Sequence, residues 1–171
     1  MAMATGPRYA HPVVVRRGIV AQETIGSSIL FIGLTPEEKA EIASFCEPLH
    51  YHPGQSIVRE GEQGDALFLL AAGRVEVVAH AGQPGERIVQ VLDGGSSLEA
   101  SYAGAFFGEM SLVDIEPRSA TVRAQTEVSL ARLSAFRISD FFATHRDAQL
   151  AIITNIARVL SRRLRLVLEK A

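Results

Sequence analysis

The sequence predicts an α+β fold in which a jelly-roll-like antiparallel β-roll is flanked by an N-terminal helix and by C-terminal helices. Three observations support this prediction. A capped helical segment comes first, short apolar or alternating runs separated by glycine follow over residues 50–134, and a helical period returns after them. With 171 residues, 47% of them hydrophobic, the chain has the composition of one folded domain with a packed core, which excludes global disorder.

The first predicted element is a short helix that begins after Thr35. Thr35 can cap this helix, Pro36 suits its first position, and Glu38 lies three residues after the cap, as in a capping box. We expect the helix to run to about Glu47 and the apolar segment 29–34 before it to be buried.

Strands are predicted from His50 to Ser134. Six apolar or alternating runs are separated by glycines, which suit the turns between strands. The runs are residues 56–58, 66–70, 75–78, 88–92, 120–124 and 128–133. Their regular spacing favours a roll or barrel of antiparallel hairpins.

Two helices are predicted after the strands. The first is short and apolar, and the second has apolar residues that recur at steps of three and four. The recurring residues of the second helix are Leu150, Ile153, Ala157, Leu160, Leu164 and Val167. This heptad seam leaves two arrangements open: the helix packs on its own domain, or residues 145–171 pair with the same helix of a second chain and form a homodimer.

The composition disfavours several classes of protein. The formal net charge is -2, and the single cysteine, Cys46, can form neither an internal disulfide nor a four-thiolate metal centre. Arg8, Arg16 and Arg17 interrupt the apolar N-terminal run, and no segment approaches the ~20 apolar residues of a membrane span. We therefore expect a cytoplasmic protein with no membrane partner.

Residues 104–124 carry the chemistry of a candidate binding site. Gly108 precedes a short helix-compatible run, whose exposed N–H groups attract an anion. Arg118 follows a turn proline and opens a strand, so its planar guanidinium has a rigid mount for a bidentate contact with phosphate. Glu109 would repel phosphate, unless its carboxylate binds a sugar hydroxyl. Phosphate and ribose held close together indicate a nucleotide.

Two adjacent motifs in this segment resemble a known cassette. They are Phe107-Gly108-Glu109-Met110-Ser111-Leu112 and Pro117-Arg118-Ser119-Ala120-Thr121. Together they resemble the phosphate-binding cassette of the cyclic nucleotide-binding domain family, of the type found in catabolite activator protein and in regulatory subunits of cyclic AMP-dependent kinase. Residues 30–38 and the glycine-punctuated segment 60–75 also resemble the family. The resemblance covers about residues 29–160.

The resemblance implies a ligand site with assigned roles. Its residues are Phe107, Gly108, Glu109, Met110, Ser111, Arg118, Ser119 and Ala120. The backbone at Gly108 and just after it would receive the cyclic phosphate, and Glu109 would accept a hydrogen bond from the ribose 2'-OH. Arg118 would pair with the exocyclic phosphate oxygens, while Ser119 and Ala120 would complete the cradle. Because a cyclic phosphate carries one negative charge, no metal is required.

The identity of the base is less well determined. Cyclic AMP is favoured, while cyclic GMP stays open because Ser119 offers a hydroxyl that can help a guanine bind. The final helix would cover the base, and four of its polar residues are candidates to contact it: Thr154, Asn155, Arg158 and Arg162.

The resemblance also implies a division of the chain into three parts. These are an N-terminal extension (1–28), the cyclic nucleotide-binding β-roll (29–144) with its cassette (104–124), and a C-terminal lid or dimerisation helix (145–171). Residues 93–105 insert a loop longer than usual for a hairpin.

The expected function is that of a sensor or regulatory module, not an enzyme. Ligand binding would move the C-terminal helices and so act on an effector protein. Transcriptional regulators of the family carry a helix-turn-helix after the long helix, and this sequence ends at Ala171. We therefore expect no direct sequence-specific DNA binding.

Two alternative functions stay open. The chain could be a degenerate family member that binds no nucleotide and acts as a protein-interaction module. It could instead be a cupin-like metal-dependent enzyme, because His50 and His52 form an H-x-H pair and Glu60 follows. Glu60 lies farther along the chain than the cupin pattern places it, so we expect ordinary surface histidines and no metal.

Overall fold

The computed structural model describes residues 19–94, 105–114 and 116–169. The helices in these ranges are α1 (Ile19–Ser27), α2 (Pro36–Ser44), α3 (Ala135–Thr144) and α4 (Arg146–Leu168), with short 3-10 helices at Ile29–Phe31 and Glu109–Leu112. The strands are β1 (Glu47–Tyr51), β2 (Ser56–Val58), β3 (Ala66–Ala72), β4 (Arg74–Ala79), β5 (Arg87–Asp93), β6 (Phe106–Phe107), β7 (Thr121–Ala124) and β8 (Val128–Ser134).

The strands form two antiparallel sheets. One sheet has the order β1-β8-β3-β6 and the other β2-β7-β4-β5. The helices lie before and after the strands in the chain, so the predicted α+β roll with flanking helices is confirmed. All six predicted runs contain strands, most extended by one or two residues at one or both ends, and the run predicted at 120–124 begins one residue later, at Thr121.

Strand β3 shows how the sequence builds two hydrophobic cores. Alternate residues of a strand point to opposite faces of the sheet. Phe68 and Leu70 pack between the two sheets, whereas Leu67 and Leu69 pack on the outer face, against the helices. Because both faces are covered, the strand is an unbroken apolar run rather than an alternating one.

Helix α2 begins as the sequence predicts and ends earlier. The Thr35 hydroxyl accepts from the Glu38 N–H at 3.2 Å, and the Glu38 carboxylate accepts from the Thr35 N–H at 2.8 Å, which completes the capping box. The prediction that the helix reaches Glu47 is wrong, because the helix stops at Ser44. Glu47 instead begins β1 and pairs with Arg132 of β8.

Helix α4 packs on its own domain through a face that shares only Ile153 and Leu160 with the predicted seam. Its buried apolar residues are Ala148, Ile152, Ile156 and Val159. Asn155 lies on the same face, and its side-chain amide donates to the carbonyls of Leu30 at 3.1 Å and Ile32 at 2.9 Å. Most of the predicted seam points outward: Leu150 is 68% exposed and Leu164 is 59% exposed.

The segment predicted as an N-terminal extension includes α1, which belongs to the packed domain. Ala21 and Ile25 of this helix are buried in the same cluster as α4. Residues 95–104 of the predicted insertion lie outside the described residues. Among the described helices, none combines the length and the apolar character that crossing a bilayer requires.

Candidate functional site

Gly108 lies at the turn between β6 and the second 3-10 helix, in a conformation that favours glycine. Its φ is 77°, in the left-handed region. A β-carbon there would lie 2.8 Å from the Ala66 carbonyl oxygen and 2.6 Å from Nη1 of Arg118. The Gly108 carbonyl accepts from the Ser111 hydroxyl at 2.7 Å. The absence of a side chain therefore lets the cassette pack directly on β3 and on Arg118.

Arg118 is held by one backbone carbonyl of this turn and by one at the start of β3. Its Nη2 donates to the Ala66 carbonyl at 2.8 Å and its Nη1 to the Gly108 carbonyl at 3.3 Å. Its main chain is fixed as well, since its N–H donates to the Glu62 carbonyl at 2.8 Å. Burial lowers the pKa of the Arg118 guanidinium, and the nearby charges of Asp65 and Glu109 partly offset this shift. Even with its lowered pKa, the Arg118 guanidinium stays protonated.

Glu109 is a buried carboxylate that pairs with a residue of α4. Only 5% of Glu109 is exposed, and its Oε1 accepts from Nη1 of Arg163 at 3.2 Å. Arg163 also donates to the Phe106 carbonyl, and its guanidinium carbon lies 5.0 Å from the centre of the Phe106 ring. Burial lowers the pKa of Arg163, while the charge of Glu109 raises it. The cassette and the last helix are thus joined by a buried ion pair.

A pocket of about 310 Å³ opens between the roll and the end of α4. Its volume is at the lower limit of typical small-molecule sites. The residues lining it are Val77, Ala79, Val89, Gln90, Ser119, Ala120, Arg163, Leu166 and Val167. The cassette, two strands and the helix therefore each contribute a wall.

The predicted site residues occupy three kinds of position. Ser119 and Ala120 line the pocket. Gly108, Glu109 and Arg118 are outside this lining. Glu109 adjoins the pocket through its pairing with Arg163, whereas Arg118 bonds to the Gly108 carbonyl and lines a separate pocket of about 330 Å³. The side chains of Phe107, Met110 and Ser111 lie elsewhere. Phe107 stacks on Phe68 in the core at 5.1 Å, Met110 is 47% exposed, and Ser111 bonds to the Gly108 carbonyl.

Arg163 is a functional candidate that the sequence did not single out. The predicted base contacts Thr154, Asn155, Arg158 and Arg162 are absent from the described pocket lining. Asn155 is instead used to anchor α4 to the first 3-10 helix. Arg163 is one of several arginines on this helix, and only the phase with which the helix packs distinguishes it from its neighbours.

The cupin-like constellation is not assembled. Glu60 accepts from the main-chain N–H of His80 at 2.8 Å. The carboxylate beside His50 and His52 belongs to Glu127. The pairing of Glu60 with the two histidines, which that alternative required, is therefore wrong.

Comparison with known families identifies the chain. A family model described as the cyclic nucleotide-binding domain matches residues 48–145, which is more than half of the sequence and includes the whole cassette. The chain belongs to this family. Cyclic nucleotide-binding domains are regulatory domains, generally without catalytic activity of their own.

Relatives of this cyclic nucleotide-binding domain occur in longer proteins. A cAMP-dependent protein kinase regulatory subunit of Emericella nidulans is 36% identical over 105 residues, which are 61% of this chain and 22% of the relative. A cyclic AMP receptor protein of Thermus thermophilus is 37% identical over 139 residues, 81% of this chain and 58% of the relative. The chain thus spans about a fifth of the first relative and just over half of the second.

A solved structure supports the fold. The crystal structure of a cyclic nucleotide-binding domain from Methylobacillus flagellatus superposes with a TM-score of 0.72 at 22% identity, and the match covers 88% of this chain and 80% of the other. At this identity, the likeness shows the arrangement of strands and helices and leaves the ligand to be argued from the site.

Proposed function

We propose that this domain binds one cyclic nucleotide, cyclic AMP in preference to cyclic GMP, and that binding repositions the end of α4. One observation carries the proposal. Arg163 of α4 both lines the pocket and pairs with Glu109 of the cassette. A ligand in the pocket therefore meets the helix and the cassette together.

The walls of the pocket suit the parts of a cyclic nucleotide. Val77 and Val89 of the roll and Leu166 of α4 offer apolar surfaces for a purine ring. Ser119 and Ala120 directly follow Arg118 in the cassette. Arg118 now donates to uncharged carbonyls, and exchanging them for phosphate oxygens would give stronger bonds in which both the donor and the acceptor are charged.

The ribose is the proposed link between ligand and helix. The Glu109 carboxylate has room for several donors, and Arg163 occupies Oε1. A ribose 2'-OH that donates to the same carboxylate must share it with Arg163 or displace it. The ligand then favours one position of α4 over another, and its effect on the helix is limited by its difference in affinity for the two positions.

Two lines of support favour cyclic AMP. The relatives from Emericella nidulans and Thermus thermophilus carry cyclic AMP in their names. The described part of the pocket has only two polar side chains besides Arg163, those of Gln90 and Ser119, and Ser119 is the one that could help a guanine bind. Cyclic GMP is therefore the competing ligand in the test.

The partners proposed for this domain are a second copy and an effector. Leu150 and Leu164 are exposed on α4, as an intermolecular seam requires. Because the chain spans 22% of the kinase subunit, we place the output in another domain or protein rather than in the roll. A cytoplasmic location is part of this proposal.

Sedimentation tests the proposed dimer. Leu150→Glu combined with Leu164→Glu should convert a dimer to a monomer, and a wild type that is already a monomer would contradict the proposed dimer.

Calorimetric titration of the full chain tests ligand binding. Cyclic AMP should bind at one site per chain and more tightly than cyclic GMP. 2'-Deoxy cyclic AMP should bind more weakly than cyclic AMP, because it lacks the hydroxyl proposed to contact Glu109. 5'-AMP, which carries a doubly charged, open phosphate, is the control and should bind least. No detectable binding of either cyclic nucleotide would contradict the proposed function.

Hydrogen exchange tests the coupling separately. Cyclic AMP should change the exchange of amides near the end of α4 in the wild type. Arg163→Met should still bind cyclic AMP but lose that response, because the connection to Glu109 is gone. Arg165→Met, which removes an exposed arginine from the same helix, is the matched control and should respond as the wild type does.

A further inference from the structure

The end of the roll opposite Gly108 and Arg118 carries a second cluster of chemically active side chains. His50 lies on β1, and His52 follows the strand, two residues further along, so both side chains are on the same face. Strands β1 and β8 pair with Tyr51 opposite Val128. The next position in this register sets Glu127 across from His52, and the two chain segments converge there.

The three side chains already touch. His50 Nε2 lies 2.6 Å from Oε2 of Glu127, and His52 Nδ1 lies 2.9 Å from Oε1. The two imidazole rings meet edge to face, with centroids 5.4 Å apart. One donor atom from each of the three residues fits within a span of 4.8 Å. The glutamate therefore holds both histidines with their ring nitrogens turned toward one point.

The backbone beneath this cluster is fixed. A β-carbon at Gly73 would collide with the Glu127 carbonyl oxygen, so the β3–β4 turn packs tightly on the loop that carries the glutamate. Thr126 accepts from the Arg74 N–H at 2.9 Å, and the His52 N–H donates to the Gln55 side chain at 2.7 Å. The donors are thus presented from the end of β1 and from the loop before β8, and the β3–β4 turn packs against that loop.

We propose that His50, His52 and Glu127 form a binding site for one transition-metal dication of the Zn²⁺ type. Two imidazoles and one carboxylate are a donor set that zinc takes in proteins, and a three-residue set leaves a fourth position for water or another ligand. Zinc bonds of about 2.1 Å at tetrahedral angles place donor atoms about 3.4 Å apart. The contacts of 2.6 Å and 2.9 Å between the histidines and Glu127 must therefore open by about 0.8 Å and about 0.5 Å. This proposal amends the expectation that the chain needs no metal.

The proposed metal site is independent of the nucleotide site. Strand β3 connects the two regions, since Ala66 at its start holds Arg118 and Ala72 at its end pairs with Ser129, two residues after Glu127. At about 3.3 Å per residue the two ends of this strand are about 20 Å apart. A metal here would clamp the turns at the far end of the roll, and zinc binding should survive the loss of nucleotide binding.

Calorimetric titration of the untagged full chain with Zn²⁺ tests the proposal. The wild type should bind one ion per chain, and the melting temperature should rise with zinc concentration through binding to the native state. His52→Asn and Glu127→Gln should each weaken zinc binding by at least about tenfold. Both side chains are more than half exposed, so these variants should fold, which circular dichroism checks.

His80→Asn is the matched control. His80 is an exposed histidine outside the cluster with φ of 57°, a left-handed conformation that asparagine also adopts, and zinc affinity should be unchanged. Mg²⁺ and Ca²⁺ should not compete, because they prefer all-oxygen sites. Three results would overturn the proposal. They are a wild type that binds no zinc, cluster variants that bind zinc as tightly as the wild type, and displacement of zinc by Mg²⁺. Arg118→Ala should retain the site, whatever becomes of nucleotide binding.

Discussion

The two ends of the β-roll each hold a glutamate between basic side chains, and they differ in depth. At the cassette end the Glu109 side chain is 6% exposed and its partner Arg163 is 13% exposed. At the opposite end Glu127 is 58% exposed and His52 is 57% exposed. The same pairing of a carboxylate with a base is thus built once in the interior and once at the surface.

This difference in depth determines what each cluster can do. Removing one partner of a buried ion pair leaves an uncompensated charge, which is strongly destabilising, whereas an exposed pair contributes little. Glu109 is therefore tied to its protein partner, and a ligand that binds it must act on Arg163. The Glu127 carboxylate can exchange its contacts with the histidines for a contact with a metal ion, and no buried charge loses its partner.

The largest expected effect is on nucleotide binding at the cassette end. Arg118→Ala should cost about 2–5 kcal/mol of binding free energy if the guanidinium meets the phosphate in a desolvated site, so cyclic AMP affinity should fall at least about tenfold. Calorimetric titration of the wild type and the variant measures the two affinities for cyclic AMP. Arg137→Ala, at an exposed position on α3, should leave the affinity unchanged. Equal affinities in the wild type and Arg118→Ala would remove Arg118 from the site.

The next effect is on stability and compares the two glutamates directly. Glu109→Gln should lower the free energy of unfolding by about 2–3 kcal/mol, because Arg163 stays buried without its carboxylate. Glu127→Gln should leave the urea midpoint close to that of the wild type, since its carboxylate is solvated. Equal losses in the two variants would show that depth is not what separates the two ends.

A smaller loss is expected when the close packing at Gly108 is disturbed. Gly108→Ala must adopt a left-handed backbone, at a cost of about 1–2 kcal/mol, and must also push against Ala66 and Arg118. Gly54→Ala is the control, because Gly54 has φ of 84° with open space around it. The difference between the two urea midpoints measures the steric contribution, and a zero difference would mean that the cassette yields freely.

The smallest effect is on stability in acid. It concerns Glu86, an exposed carboxylate that, like Glu127, should contribute little to the free energy of unfolding. The Gly82 N–H at 2.6 Å, followed by Arg123, lowers the pKa of Glu86 below its ordinary value. A lowered pKa stabilises the fold above the ordinary value, and this contribution disappears as the pH falls through the folded value. The small stability difference between the wild type and Glu86→Gln should therefore shrink in acid. A stability difference that grows in acid would contradict the lowered pKa of Glu86.

Local sequence signals predicted much of this fold. The capping box at Thr35 and the apolar runs of the roll depend on neighbouring residues, and they appear where the sequence indicated. Two strands were not predicted, because β1 contains a proline and polar residues and β6 has only two residues. Both are strands through pairing with distant partners, β8 and β3 respectively.

The candidate sites show the same division. The cassette motif lies within a few residues of sequence, so Gly108, Glu109 and Arg118 could be named in advance. Arg163 could not, because its contact with Glu109 spans 54 residues and depends on how α4 packs. Glu127 is 77 residues from His50, and only the register of β1 and β8 brings it there.

The amide of Asn155 gives α4 a fulcrum. The part of α4 before Asn155 is held in place, because Ala148 and Ile152 are buried in the core. Beyond Val159, the last buried apolar residue of the helix, nine residues reach Leu168, an arm of about 14 Å. Arg163 sits part-way along this arm, so the helix displacement that we propose would be larger at the tip than at its guanidinium.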